Sequence, residues 1–170
     1  MTHIKPRIVD AIYRHALSEC PRECCGIVIG KKDDSLSFEQ IFPCRNLQED
    51  VHAKDPERFP RTSETAYFLS PDDLFKIQKI ARNLSMEMKI IYHSHVNVGA
   101  YFSEEDKKQA LYESKPIYPG VYYLVVDVTQ KGSDSKQQGE TPFVRGAKLF
   151  GWDESKKDFE ETDRFLVGQV

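Results

Sequence analysis

No stretch of this 170-residue sequence approaches the roughly 18–20 consecutive apolar residues that cross a bilayer. Its opening, MTHIKPRIVDAIYRHALSECP, is charged throughout and has no apolar core of the kind a secretory signal needs, so a cytoplasmic protein is expected. Basic blocks are missing as well. Lys and Arg are dispersed in short pairs such as Lys31-Lys32 and Lys156-Lys157, and the net charge is −3, which gives no electrostatic basis for binding nucleic acid or an anionic membrane. Cysteine is limited to four residues without the repeated C-x2-C of a zinc finger, so reduced thiols are expected rather than a disulfide framework. The H-x-E and P-C-x-x-C signatures of zinc nucleobase deaminases do not occur.

What is present describes an ordinary globular chain. Ten Phe, eight Tyr and 39% hydrophobic residues argue against disorder, and the length suits one domain with a core of its own. IKPRIVDAIYRHALSE carries apolar residues near helical period, and Pro21 closes that helix. CCGIVIGK reads as a short buried strand, paired through the turn KKDDS to a second strand whose alternation starts at Leu36 and Phe38. Residues 47–64 have no period, several charges and two prolines, which predicts a long surface loop. TAYFL is a strand candidate. Ser70 and Pro71 open a helix with an apolar stripe of Leu74, Ile77, Ile80, Ala81 and Leu84. The strand EMKIIYHSH, a Gly-containing loop and the helix SEEDKKQALYES follow. VYYLVVDVT, apolar on both faces, is expected at the centre of the sheet. QKGSDSKQQGE is a hydrophilic loop or hairpin tip. The tail from 152 to 170, with Trp152, Phe159, Phe165 and Leu166, packs on the core or meets a second subunit. This order implies an α/β domain of two or three layers on a mixed or mostly antiparallel sheet.

The chemistry gathers in IIYHSHVNVGAYFSEED, residues 90–106. His93 and His95 are two apart on a strand, so both imidazoles share a face while Ser94 points the other way. Asp106, in the first turn of the next helix, can turn back over the strand end and complete a three-ligand set that leaves a fourth tetrahedral position open, the pattern of a catalytic zinc site. A plain reading stands beside it: Ser103 caps the helix, acids favour its N-terminus, and the histidine pair is incidental. Glu23 sits at a helix-to-strand junction as one of many glutamates. A 2-His-1-carboxylate iron site uses the same donors but ordinarily a different spacing.

His93-Ser94-His95, seven residues, then Ser103-x-x-Asp106, with Glu23 upstream in a P-x-E-x-C-G-x-x-x-G setting, resembles the JAMM (MPN+) zinc metalloprotease family, in its bacterial, sulfur-carrier-processing form. The resemblance implies an MPN (cytidine-deaminase-like) fold, a mixed sheet flanked by helices in one domain over 1–170, with a core of about 6–150 and an extension over 151–170. It implies Zn²⁺ on His93, His95 and Asp106, with Glu23 handling the proton of the attacking water and Ser103 donating to the oxyanion. It implies cleavage of a peptide or isopeptide bond after the Gly-Gly tail of a ubiquitin-like, β-grasp sulfur-carrier protein. That tail would lie extended along residues 96–102, with the 47–64 loop contributing to binding. A family member lacking a ligand or Glu23 would be a scaffold; here all of them are present. Two positions depart from the usual motif, Val96 and Phe102, where many members carry proline. Cys24 and Cys25, flanking Glu23, are either small hydrophobes or a redox brake on the site.

Overall fold

Fourteen elements follow one another in the computed structural model, which describes residues 2–131, 141–162 and 165–166. They are β1 (Thr2–His3), α1 (Pro6–Glu19), β2 (Cys25–Lys31), β3 (Gln40–Cys44), α2 (Gln48–Lys54), α3 (Pro71–Asn83), β4 (Met86–Val96), α4 (Glu104–Ala110), β5 (Leu111–Tyr112), β6 (Lys115–Pro116), β7 (Tyr122–Thr129), β8 (Phe143–Asp153), β9 (Asp158–Glu161) and β10 (Phe165–Leu166). Six strands make one mixed sheet in the order β3-β2-β4-β7-β8-β9. Within it β4 and β7 run parallel and the other neighbours antiparallel. The parallel pair at the centre needs a crossover, and the segment carrying α4 and the β5–β6 hairpin supplies it.

Strand alternation divides the core in two. On one face Ile8, Val9, Ile12 and Ala16 of α1 pack against Val28, Ile90, Tyr92, Leu124 and Val126. On the other, Ile77 and Ala81 of α3 and Ala110 of α4 pack against Ile27, Ile91, Tyr123, Val125 and Phe150. The result is three layers, with both central strands buried on both sides. Gly26 permits this packing, because a Cβ there would sit 2.3 Å from the Tyr92 ring.

Several elements differ from the sequence expectation. The second strand starts at Gln40; Leu36 is exposed and Phe38 is buried outside the ladder, because the Ser37 carbonyl presses on Gly30 and the Ser37 hydroxyl accepts the Lys31 N–H (3.1 Å). Within the expected 47–64 loop, Gln48–Lys54 is helical. Its stability comes from polar anchors that leave no apolar period. Buried Gln48 donates to the Arg61 carbonyl (2.7 Å), and Glu49 accepts from the Ser63 N–H and hydroxyl (3.1 and 2.9 Å). TAYFL contributes only a bridge, Asn46 to Leu69, although Ala66 and Tyr67 are buried. The stripe on α3 is half right: Ile77 and Ala81 are buried while Ile80 and Leu84 are largely exposed. The helix after Ser103 stops at Ala110, where a tight turn with Glu113 and Ser114 at φ 48° and 60° closes the β5–β6 hairpin. β8 runs through residue 150, β9 follows it, and both belong to the sheet; Phe159 is buried and Trp152 packs against the same cluster. The side chains of Phe165 and Leu166, and the tip at 132–140, lie outside the described residues. Among those described, no helix is long and apolar enough to cross a membrane.

Candidate metal centre

β4 enters the sheet between β2 and β7 and carries its polar residues into the interior: His93, Ser94 and His95 are all buried. Alternation sends Ser94 to the α1 face, where it ties β4 to the start of β2. Its hydroxyl accepts the Cys24 N–H (2.8 Å) and its own N–H reaches the Cys24 carbonyl (3.2 Å). His93 and His95 point to the other face with their Nε2 atoms 3.2 Å apart. The chain then turns at Asn97 and Gly99, both with positive φ (64° and 87°). The Gly99 carbonyl meets His95 Nδ1 at 3.1 Å, which aims Nε2 into the site. His93 lies flat on Tyr67, centroids 4.4 Å apart, and its buried Nδ1 has no hydrogen-bond partner among the described residues.

Asp106 arrives from the first turn of α4. Ser103 caps that helix in a reciprocal box: its hydroxyl accepts the Asp106 N–H (3.1 Å), while its own N–H and hydroxyl both donate to Asp106 Oδ2 (2.7 Å each). The cap thus orients the carboxylate. Oδ1 lies 3.3 Å from His93 Nε2 and Oδ2 3.5 Å from His95 Nε2. The capping and metal-site readings of this segment are one structure.

These three separations test whether a metal fits. Ligand atoms at the usual zinc distances around a tetrahedron lie about 3.3 Å from one another along its edges; the two imidazole nitrogens are 3.2 Å apart and face different oxygens of Asp106, at 3.3 and 3.5 Å, and one ligand atom from each of the three residues lies within 4.8 Å of the others. His93, His95 and Asp106, all buried, can jointly hold a metal ion. Burial works to raise Asp106, but His93, His95 and Ser103 outweigh it and hold its carboxyl well below the usual range. Burial pushes His93 down against the pull of Asp106. For His95, burial opposes the charged form, yet Asp106, Glu23 and the Gly99 carbonyl outweigh it and raise the imidazole.

Glu23 reaches the same place from the far end of the chain. The 46–66 segment clamps its backbone: its N–H donates to the Ser63 carbonyl (2.8 Å), and its carbonyl accepts from Asn46 Nδ2 (2.9 Å). Its side chain is buried, and Oε2 has no hydrogen-bond partner among the described residues. Burial pushes the carboxyl up to about 8, with His95 working against that rise and Asp106 adding to it. A cleft of about 140 Å³ opens over the site, walled by Glu23, Arg61, His95, Val98, Tyr101 and Ser103 among others.

The five site residues read from the sequence therefore converge. Three contributors were missed: Tyr67 beneath His93, Asn46 behind Glu23, and Arg61 at the cleft. No local pattern marks Asn46 or Arg61, because both act through contacts distant in sequence. The apolar loop residues divide. Val98 and Tyr101 are 61% and 48% exposed at the cleft, whereas Phe102 is buried among Tyr123, Phe150 and Phe159. Cys24 and Cys25 are buried in opposite core clusters, and burial raises both thiols (Cys24 up to about 12), as suits small hydrophobes.

A family model described as prokaryotic homologs of the JAB domain matches residues 5–138. The tail tip assembly protein K of Escherichia phage N15 is 35% identical over 106 residues, covering 62% of this chain and 35% of the phage protein, so the chain spans about a third of that relative's length. The CysO-cysteine peptidase of Mycobacterium tuberculosis (strain H37Rv) is 26% identical over 123 residues, 72% of this chain and 70% of the peptidase. Solution structures of proteins from Desulfitobacterium hafniense and Salinibacter ruber share the fold, with TM-scores of 0.60 and 0.59 over 99% of this chain and 93% and 92% of theirs, at 20% and 21% identity.

Proposed function

The chain belongs to the family of prokaryotic homologs of the JAB domain, and from that premise we propose that it is a zinc-dependent peptidase cutting after the Gly-Gly tail of a ubiquitin-like, β-grasp sulfur-carrier protein. The observation that carries the reading is the convergence of His93, His95 and Asp106, one ligand atom from each within 4.8 Å of the others, beside a buried Glu23 whose Oε2 has no hydrogen-bond partner among the described residues. The similarity to a CysO-cysteine peptidase supports the sulfur-carrier substrate.

His93, His95 and Asp106 would hold the ion. When bound, it supplies Lewis acidity that activates water and polarises the scissile carbonyl. Glu23 takes the proton of the attacking water and returns it to the leaving amine. A buried carboxyl with one free oxygen is suited to both transfers. Ser103 first sets Asp106 in place; its hydroxyl, on the cleft wall, turns from Oδ2 to donate to the oxyanion as charge develops there. Val98 and Tyr101 form the apolar lip along which the glycine tail runs, glycine allowing the closest backbone approach.

Zinc is favoured over iron because Glu23 provides a proton carrier that hydrolysis needs and oxygen activation does not. A second reading, a peptidase acting in assembly of a virion tail, is favoured by the higher identity to the phage protein. The two share the site and differ in substrate. The test incubates purified protein with β-grasp carriers extended beyond Gly-Gly and reads metal content and intact carrier mass. The expected result is about one zinc per chain and a product ending at Gly-Gly. Iron with oxygen-dependent turnover would overturn the zinc reading. Cleavage of a virion tail protein, with carriers left intact, would select the second substrate. Zinc-loaded protein that cuts neither would reduce the chain to a scaffold.

A further inference from the structure

We infer that Arg61 is a specificity-determining residue of the cleft, reading the free α-carboxylate of the residue leaving the cut. The inference rests on the peptidase reading above and names the side chain that selects for a free C-terminus.

Arg61 lines the same cleft as Glu23, His95 and Ser103. Its backbone is pinned from below, the carbonyl accepting from the buried Gln48 amide at 2.7 Å. Its guanidinium makes one hydrogen bond, to the Thr65 carbonyl at 3.3 Å, and among the described residues no carboxylate lies within ion-pair distance of it. Arg61 is exposed, and its guanidinium carries five donors in a planar fork that matches a carboxylate, one of them engaged among the described residues. Beside the candidate ligand His95, the remaining charged residues on the cleft wall, Glu23 and Glu64, are acids. Arg61 is therefore the one Lys or Arg side chain there to meet an approaching carboxylate, and its charge already acts on the Glu23 carboxyl. The acids suit the other end of the released amino acid, whose amine leaves with the proton from Glu23 and becomes an ammonium. The cleft volume, about 140 Å³, holds roughly one small residue beside the reacting carbonyl. The exposed Val98 and Tyr101 give that residue's side chain an apolar surface.

The step balances without a further reactant. Water adds across the peptide bond, the carrier keeps a new carboxylate at its terminal glycine, and the amino acid departs with its own carboxylate on Arg61.

The test uses the zinc-loaded full chain and a bacterial β-grasp sulfur carrier ending Gly-Gly-Ala, prepared by ligation as the free acid and as the C-terminal amide. The wild-type protein should prefer the acid by roughly ten- to a hundredfold in kcat/KM, as expected for a charge-assisted, bidentate contact. Arg61→Gln should bring that ratio to within about twofold of unity, and Arg61→Lys should leave an intermediate preference. Binding is read separately in Glu23→Gln protein, where the acid should bind about tenfold tighter than the amide and adding Arg61→Gln should erase the difference. A wild-type ratio near one, or a ratio that survives Arg61→Gln, overturns the inference while leaving the peptidase intact. Cleavage of neither carrier, with equal binding of both to Glu23→Gln protein, overturns the inference and the peptidase reading together.

Discussion

The two walls of the cleft are built in opposite ways. On the ligand side every side chain that aims at the ion position is fixed by a neighbour: His95 by the Gly99 carbonyl, Asp106 by the Ser103 cap, His93 by the face of Tyr67. On the opposite side the described residues hold Glu23 through its backbone, at Ser63 and Asn46, and among them its Oε2 has no hydrogen-bond partner. Under the proposed function, the difference follows from what each side would do. A metal ligand works by staying in place, since small displacements change the coordination geometry. A proton carrier has to exchange partners within one turnover, and a carboxyl locked by hydrogen bonds at both oxygens would not.

Breaking the ligand side should have the largest effect. His95→Ala is expected to abolish cleavage and the bound zinc together, and to lower thermal stability to that of the chelator-treated wild type, because the ion stabilises only the folded state. Metal analysis beside a melting curve checks it. Next comes Glu23→Gln, which should lose roughly 10²–10⁴-fold in kcat while keeping zinc, the range for removal of a proton-transferring group. If that variant also lost its zinc, the two walls would not be separable. Phe102→Ala tests the floor under the ligand side. Removing a buried ring that contacts Tyr123, Phe150 and Phe159 should destabilise the protein by about 3–5 kcal/mol, measured by denaturant titration.

Asn46→Ala tests the other wall. Its amide donates to the Glu23 and Ala66 carbonyls and accepts from the Gln48 and Phe68 N–H groups. Leaving those groups unpaired should cost about 2–3 kcal/mol and lower kcat with zinc content unchanged. The smallest effect is expected for Asp158→Asn. The Lys107–Asp158 pair, at 2.7 Å, lies on the outer side of α4, with Asp158 39% exposed, so the change in stability should stay below about 1 kcal/mol.

Legibility from sequence follows the same division. The ligand side is contiguous: a strand end, a short loop and a helix start, so strand alternation, the spacing from His93 to Asp106 and the cap signal together describe it. The cap reading competed with the metal reading because a cap and a ligand orienter look identical in one dimension. In the structure one set of hydrogen bonds between Ser103 and Asp106 caps the helix and also aims the carboxylate at the imidazoles. The Glu23 side was legible only through the family pattern. Its supports are Asn46 and Ser63, in a segment whose helix is held by polar anchors with no apolar period to reveal it. Phe102 at a motif position usually held by proline is explained by depth: the ring fills the aromatic core beneath the site.

By itself, then, the sequence determined the helical stripe of α1, the central buried strands and the order of the metal-site donors along the chain, because these depend on periodicity and short spacing. The family pattern singled out Glu23, but the tertiary structure alone decided how its backbone is held beside the histidines, which arginine overlooks them and which loop residues reach the cleft. Those depend on contacts between segments tens of residues apart, where no local pattern specifies the partner and only the packed sheet brings the groups within reach.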